Sequence, residues 1–150
     1  MQNPTNPKTR KLLSDIYQFE RRRAEPSDLS YVLDTWSRSL RPLWPELRNQ
    51  EFHAAIRADI TDKLESGFEL TIAHPEGAPS VIWAWLCCHP DTNQVAFIYV
   101  RPDVRGALIA TRLIEKTLGN GPLLTSSRLS VTAFQIKDRH PDRIIITPRF

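Results

Sequence analysis

The 150-residue chain has no run of about eighteen apolar residues, so no helical membrane span is predicted. Its opening, MQNPTNPKTRKLL, lacks the apolar segment of a signal peptide, which points to an intracellular, cytoplasmic protein. Cysteine is scarce: Cys87 and Cys88 are adjacent in a predicted strand and so point to opposite faces. This argues against a bridge between them or a shared metal, and for buried free thiols in a reducing compartment. None of His53, His74, His89 and His140 has a partner at the spacing that zinc requires, and no metal is expected. A strong charge excess is missing too. The net charge is +3, with arginines gathered at Arg21–Arg23 and at Arg38, Arg41 and Arg48. That is weak support for nucleic-acid binding, which a solvated face explains as well.

With 41% hydrophobic and 25% charged residues, the chain has an ordinary globular composition. Its length suits one domain burying roughly two thirds of its unfolded surface. Residues 1–8 are expected to be a flexible arm and 9–150 a single domain, without repeats or low-complexity runs. Ile16 to Arg23 reads as a strand through the alternation of Tyr17 and Phe19 with polar neighbours. KLLSDIYQFERR equally fits the end of a helix. Pro26-Ser27-Asp28 starts a helix carrying Leu29, Val32, Leu33 and Trp36, and Pro42 and Pro45 interrupt the chain after it. Phe52, Ile56, Ile60 and Leu64 place a second helix over Glu51–Glu65, closed by Gly67.

The period then changes to two. Phe68–Ala73 reads as a strand and His74–Gly77 as a turn. Ser80–Cys88 is apolar on both faces, with Val81, Trp83 and Trp85 on one and Ile82, Ala84 and Leu86 on the other. Val95–Val100 is apolar on both faces as well, so these two strands are expected at the centre of a covered sheet. A helix from Arg105 to Leu118 stops at Gly119-Asn120-Gly121-Pro122, and Leu129–Phe134 and Ile144–Thr147 read as the last strands. The order predicts an α/β fold: a mixed sheet of about six strands, helices on both faces, a meander and one parallel crossover.

The most informative stretch is QVAFIYVRPDVRGALIATRLIEKTL, Gln94–Leu118. A strand feeds through a short turn into a helix start, where unpaired N–H groups and the helix dipole favour an anion such as a pyrophosphate. Val100-Arg101-Pro102-Asp103-Val104-Arg105-Gly106-Ala107-Leu108-Ile109-Ala110 resembles the acyl-coenzyme A binding motif of the GCN5-related N-acetyltransferases. The element order is similar to that family from about Tyr17 to Phe150. DLSYVLDTWSRSL, the apolar strand pair and the closing TPRF look most like small acetyltransferase-like proteins of bacteriophages.

This resemblance implies a co-substrate, acetyl-coenzyme A, and an N-acyltransferase acting on an amine. It implies that the backbone of Ile98, Tyr99 and Val100 holds the pantetheine arm, on a strand splayed from its neighbour. The pyrophosphate would lie on Arg105, Gly106, Ala107, Leu108, Ile109 and Ala110. Leu108 stands where the motif has its middle glycine. On a helix it projects with Arg112 and Glu115, so it is exposed, pressed on a loop, or placed in the phosphate path. Leu108→Gly would then cost about 1 kcal/mol of helix propensity.

Acyl transfer to an amine also needs a base, an acid and an oxyanion donor. The family resemblance leads one to look for a tyrosine after Leu129–Phe134. Gln135, Lys137, Asp138 and His140 stand there instead, and the catalytic residues stay unassigned. Tyr99 has either a catalytic or a core role. Trp36 and Trp44 line an acceptor pocket or simply pack. Arg38, Arg41 and Arg48 hint at an acidic or phosphorylated acceptor. The alternative to an enzyme is a non-catalytic binding or structural component of the same fold, such as a virion part with a protein partner.

Overall fold

The segment that suited either a strand or a helix end is a strand. In the computed structural model, which describes residues 17–105, 108–119, 121–126 and 144–147, Phe19–Arg23 (β1) pairs antiparallel with Glu69–Pro75 (β2). β1 lies at the sheet edge, where its arginines discourage pairing with another chain. Phe19 turns inward and is buried, while Arg21 and Arg23 are exposed. Arg22 reaches the Asp28 carboxylate at 2.6 and 2.9 Å. The same carboxylate accepts the Glu25 N–H at 2.7 Å, so one buried aspartate fixes the start of the first helix and ties it to β1.

Helix α1 (Leu29–Leu40) buries Val32, Trp36 and Leu40, one turn apart. Helix α2 (Asn49–Glu65) buries Phe52, Ile56 and Ile60 on a similar stripe. Between them, Arg41 closes the proline-containing connection by donating to the carbonyls of Trp44 and Leu47. Gly67 ends α2 with φ +96°, a conformation that favours glycine. The Phe68 N–H then returns to the Lys63 carbonyl at 3.0 Å, which satisfies a terminal carbonyl of α2.

β2, β3 (Ala84–His89) and β4 (Gln94–Val100) form the expected antiparallel meander. β2 runs to Pro75 rather than stopping at Ala73, because His74 and Pro75 still pair with Glu20 and Phe19. The strand expected from Ser80 begins only at Ala84. Residues 79–83 are turn and bend, and Val81 is 36% exposed. The cause lies at Trp83, whose N–H donates to the Ala73 carbonyl although the register partner of Ala73 is Ala84. Two residues oppose one, as in a β-bulge, and the alternation breaks there. Trp83 and Trp85 therefore do not share a face: Trp83 packs on the α3 side and Trp85 on the α1–α2 side.

Helix α3 (Ile109–Leu118) starts four residues later than the expected Arg105. β5 (Leu123–Ser126) follows immediately and pairs parallel with β4, giving the crossover, and β6 (Ile144–Thr147) pairs parallel with β5. β5 occupies residues that carried no strand expectation. Leu129–Phe134 and the 1–8 arm lie outside the described residues. The body of this mixed α/β sheet is the four antiparallel strands β1–β4, with β3 and β4 interior as expected.

Alternating side chains divide the core between the two faces of the sheet. Leu70, Ile72, Trp85, Cys87 and Phe97 meet α1 and α2, and Ala84, Leu86, Cys88, Ile98 and Val100 meet α3. Adjacent cysteines thus enter different cores, both as free thiols. Burial pushes each thiol up to about 12, so both stay protonated and unreactive at neutral pH.

Candidate functional site at the β4–α3 turn

β4 and β5 pair only at Gln94–Leu124 and Val95–Thr125 among the described residues. Beyond Val95 the β5-facing edge of β4 has no further ladder pairing among them. The direction of the backbone groups follows from the other edge. The Arg101 N–H donates to the Trp83 carbonyl at 2.8 Å, toward β3. In an antiparallel pair successive residues alternate, so the groups of Val100 point the opposite way, toward β5. Ile98 and Val100 send their side chains into the α3-side core, whereas Tyr99 faces the α1–α2 side. The resemblance implies backbone roles for these residues, and the register leaves the Val100 backbone facing the β5 edge.

The chain leaves β4 through a tight turn. Pro102–Val104 form one turn of 3-10 helix, started by the fixed φ of Pro102. Val104 is buried in the α3-side core and pins the turn from below. Asp103 is paired with Arg101 at 2.6 and 2.8 Å. That pairing raises the Arg101 pKa and lowers that of Asp103, so the nearby carboxylate is already neutralised.

Arg105 is extended and exposed, not helical as expected. Its Nε donates to the Val100 carbonyl at 2.8 Å, and its guanidinium lies 5.7 Å from the centre of the Tyr99 ring. Gly106 and Ala107 lie outside the described residues. Leu108 is the cap of α3, not part of it, and is left-handed with φ 61° and ψ 22°. The expected projection onto the polar helix face is therefore wrong. Leu108 accepts the first helical bond from Arg112 at 2.9 Å, but its aliphatic side chain caps nothing.

The first N–H groups of α3, on Ile109, Ala110 and Thr111, thus lack intrahelical partners by geometry. No acidic residue occupies the first turn of the helix, so its positive end is not neutralised from within. Ile109 and Ala110 turn their side chains into the core, and the buried hydroxyl of Thr111 has no hydrogen-bond partner among the described residues.

Tyr31 is the functional candidate that sequence reasoning missed. It projects from α1 edge-on to Tyr99, with ring centres 6.3 Å apart, and Tyr99 in turn stacks on Trp85 at 6.1 Å. Burial, then the neighbouring Tyr99, pushes the Tyr31 phenol up to about 12. The sequence signal was faint: Tyr31 and Thr35 are polar-tipped residues one turn apart, flanking the buried Val32–Trp36 stripe.

Other sequence candidates go elsewhere. Trp36 is fully packed core against Trp85 and Phe97, and Trp44 packs beside Phe52. Arg41 holds a loop, and Arg38 and Arg48 form local helical ion pairs with Asp34 and Glu51. Gln135, Lys137, Asp138 and His140 lie outside the described residues. Among the described residues no cluster of histidine, cysteine and carboxylate is arranged to hold a metal, and no helix is long and apolar enough to cross a membrane.

No family model and no curated protein matches the chain. Among solved structures it is similar to a crystal structure described as a GCN5-related N-acetyltransferase, "Aminotransferase, Class-II", from Rhodopseudomonas palustris. The two share 22% identity and a TM-score of 0.42, over 65% of this chain and 61% of that one.

Proposed function

We propose that this chain is an acyltransferase that moves an acetyl group from acetyl-coenzyme A to an amine. One observation carries the reading. A strand that pairs with its parallel neighbour only at Gln94 and Val95 among the described residues runs through a short pinned turn into a helix start with neither side-chain cap nor acid. The residues suit the co-substrate chemically, since N–H donors of Ile109–Thr111 favour a diphosphate and the Val100 backbone faces an edge for an amide-bearing arm. When bound, the co-substrate supplies the activated thioester. The protein orients it through backbone donors. Tyr31, held protonated at neutral pH by burial and by Tyr99, is a weaker acid than a free phenol, so it can offer a hydrogen bond but cannot serve as a base. Arg105 is the exposed cation at this turn and adds charge for the phosphates.

The non-catalytic reading retains one specific observation in its favour: Leu108, at a left-handed position, places a branched side chain beside the helix start. A thermal shift separates the two readings. Acetyl-coenzyme A at a hundredfold over its dissociation constant should stabilise the protein by about 2.7 kcal/mol. Replacing Gly106 with Val should weaken that effect. An unchanged midpoint at millimolar co-substrate, in both the natural protein and Leu108→Gly, would leave the binding or structural role standing.

A further inference from the structure

We propose that the groove between α1 and α2, on the side turned away from the sheet, binds a small zwitterion of the α-amino acid class. The inference does not rest on the acyl-coenzyme A reading and concerns a different part of the molecule. Helix α1 sorts its residues by direction. Val32, Trp36 and Leu40 enter the core against the sheet, and Tyr31 meets Tyr99. Ser30, Leu33, Asp34 and Ser37 recur at three- and four-residue intervals, which places them together on the opposite side of the helix. Helix α2 brings His53 and Arg57, one turn apart, to face them, and these six residues line a cavity of about 240 Å³.

Size and charge together select the ligand. The cavity is smaller than the roughly 300–1,000 Å³ that suits drug-sized ligands, so it takes a molecule of few atoms. Its walls carry both signs: the Asp34 carboxylate comes from α1, and the Arg57 guanidinium and His53 ring come from α2. A simple anion would be repelled by Asp34, and a simple cation by Arg57. A molecule with an ammonium beside a carboxylate satisfies both walls, because the guanidinium offers two parallel N–H donors to a carboxylate. Asp34 is already oriented, since its Oδ2 accepts from Arg38 at 2.6 Å, and a carboxylate has a second oxygen to offer an ammonium. Ser37, only 6% exposed, and Ser30 add hydroxyls to the lining, and Leu33 adds an apolar surface. A short hydroxyl-bearing side chain matches that mixture, which makes serine the natural probe.

The test titrates three probes against the natural protein, Arg57→Gln and Asp34→Asn, following backbone amide shifts by NMR. The probes are L-serine, L-glycerate, with a hydroxyl in place of the ammonium, and L-serinamide, with an amide in place of the carboxylate. Arg57 and Asp34 are exposed, so the thermal midpoints of the variants should hardly change. L-Serine should shift the amides around the six lining residues, and each analogue should bind about tenfold more weakly, the scale of one hydrogen bond to a charged group. Arg57→Gln should weaken L-serine by a similar factor and leave L-serinamide unchanged. Asp34→Asn should weaken L-serine too, without weakening L-glycerate. Either analogue binding the natural protein as tightly as L-serine overturns the zwitterion, and no shift at the lining residues with any probe at tens of millimolar overturns the site. Neither outcome bears on the acyl-coenzyme A reading, which its own titration decides.

Discussion

The two faces of the sheet are built from different materials. On the α1–α2 side, Trp36, Trp85 and Phe97 lie with ring centres 5.1–5.2 Å apart, and the indole N–H of Trp85 is bonded to Thr35 at 2.9 Å. On the α3 side the core is mainly aliphatic, with Leu86, Ile98, Val100, Ile109 and Leu113 beside Phe19, and its helix opens on a left-handed leucine. Large flat rings with a buried hydrogen bond specify one packing, since each donor and each ring face has a partner. Aliphatic packing leaves the mouth of α3 free of such ties. The first face anchors the fold, and the second carries the backbone groups of the candidate site.

Trp85→Ala should have the largest effect on this contrast. It removes the centre of the aromatic stack and should cost about 3–5 kcal/mol by urea unfolding. Leu113→Ala, on the other face, should cost about 2–5 kcal/mol and fall below Trp85→Ala. An equal or greater cost for Leu113 would refute the idea that the aromatic face is the anchor.

Asp28→Asn tests how the anchoring face is tied to the sheet edge. Losing the paired carboxylate should cost about 1.5–3 kcal/mol, the range for hydrogen bonds to charged groups. Its hydrogen bonds to Arg22, opposed by partial burial, hold the Asp28 pKa below the ordinary carboxylate range. The folded state therefore prefers the ionised form. This contribution is complete above the unfolded pKa and is lost as pH falls through the folded one. Acid titration of stability should lose part of its slope there in Asp28→Asn; an unchanged acid limb would rule the linkage out.

Leu108→Gly addresses the other region and should be a gain. Left-handed backbone costs a non-glycine residue about 1–2 kcal/mol, and glycine's extra unfolded-state freedom takes back about 0.5–1. A net stabilisation of up to about 1.5 kcal/mol is expected from the unfolding midpoint, with acetyl-coenzyme A binding equal or improved. The helix-propensity cost does not apply, because Leu108 precedes the helix. A clear loss of stability would mean that the packing of its side chain outweighs the strain.

The smallest effect concerns Tyr31, where the aromatic face meets the site. Burial and the neighbouring Tyr99 push its folded pKa up to about 12, above the ordinary phenol value of about 10. The contribution is present below the unfolded value and is lost as pH rises through the folded one. Spectrophotometric titration should show a late phenol that Tyr31→Phe removes. If the late step survives the substitution, the Tyr31–Tyr99 pairing is not its source.

Much of the fold was legible because burial imposes a period. Val32 and Trp36, or Phe52, Ile56 and Ile60, repeat once per helical turn, and β3 and β4 are apolar on both faces. Errors fell where a single hydrogen bond overrides a pattern. The Trp83 N–H goes to Ala73, shortening β3 and moving Trp83 across the sheet. The start of α3 misled for a similar reason. Apolar spacing from Val104 onward continues smoothly into the helix, and hydrophobicity does not reveal a reversal of φ at one residue.

For the candidate site, the sequence located the turn, the arginine and the odd leucine. It could not orient them. Whether Arg105 reaches outward or folds back depends on which carbonyl lies within reach. That depends on the direction of the Val100 backbone, which the pairing of Arg101 with Trp83 sets. Tyr31 and Tyr99 are 68 residues apart in the chain and meet only because α1 packs on the face of β4 that Tyr99 occupies. By itself the sequence determined the period of each main element, the two-sided burial of β3 and β4, and the place of the turn between β4 and α3, since these follow from local chemistry. Tertiary structure alone decided the bulge, the left-handed leucine and the partners of Arg105 and Tyr31, because each depends on groups brought together by strand register and helix docking.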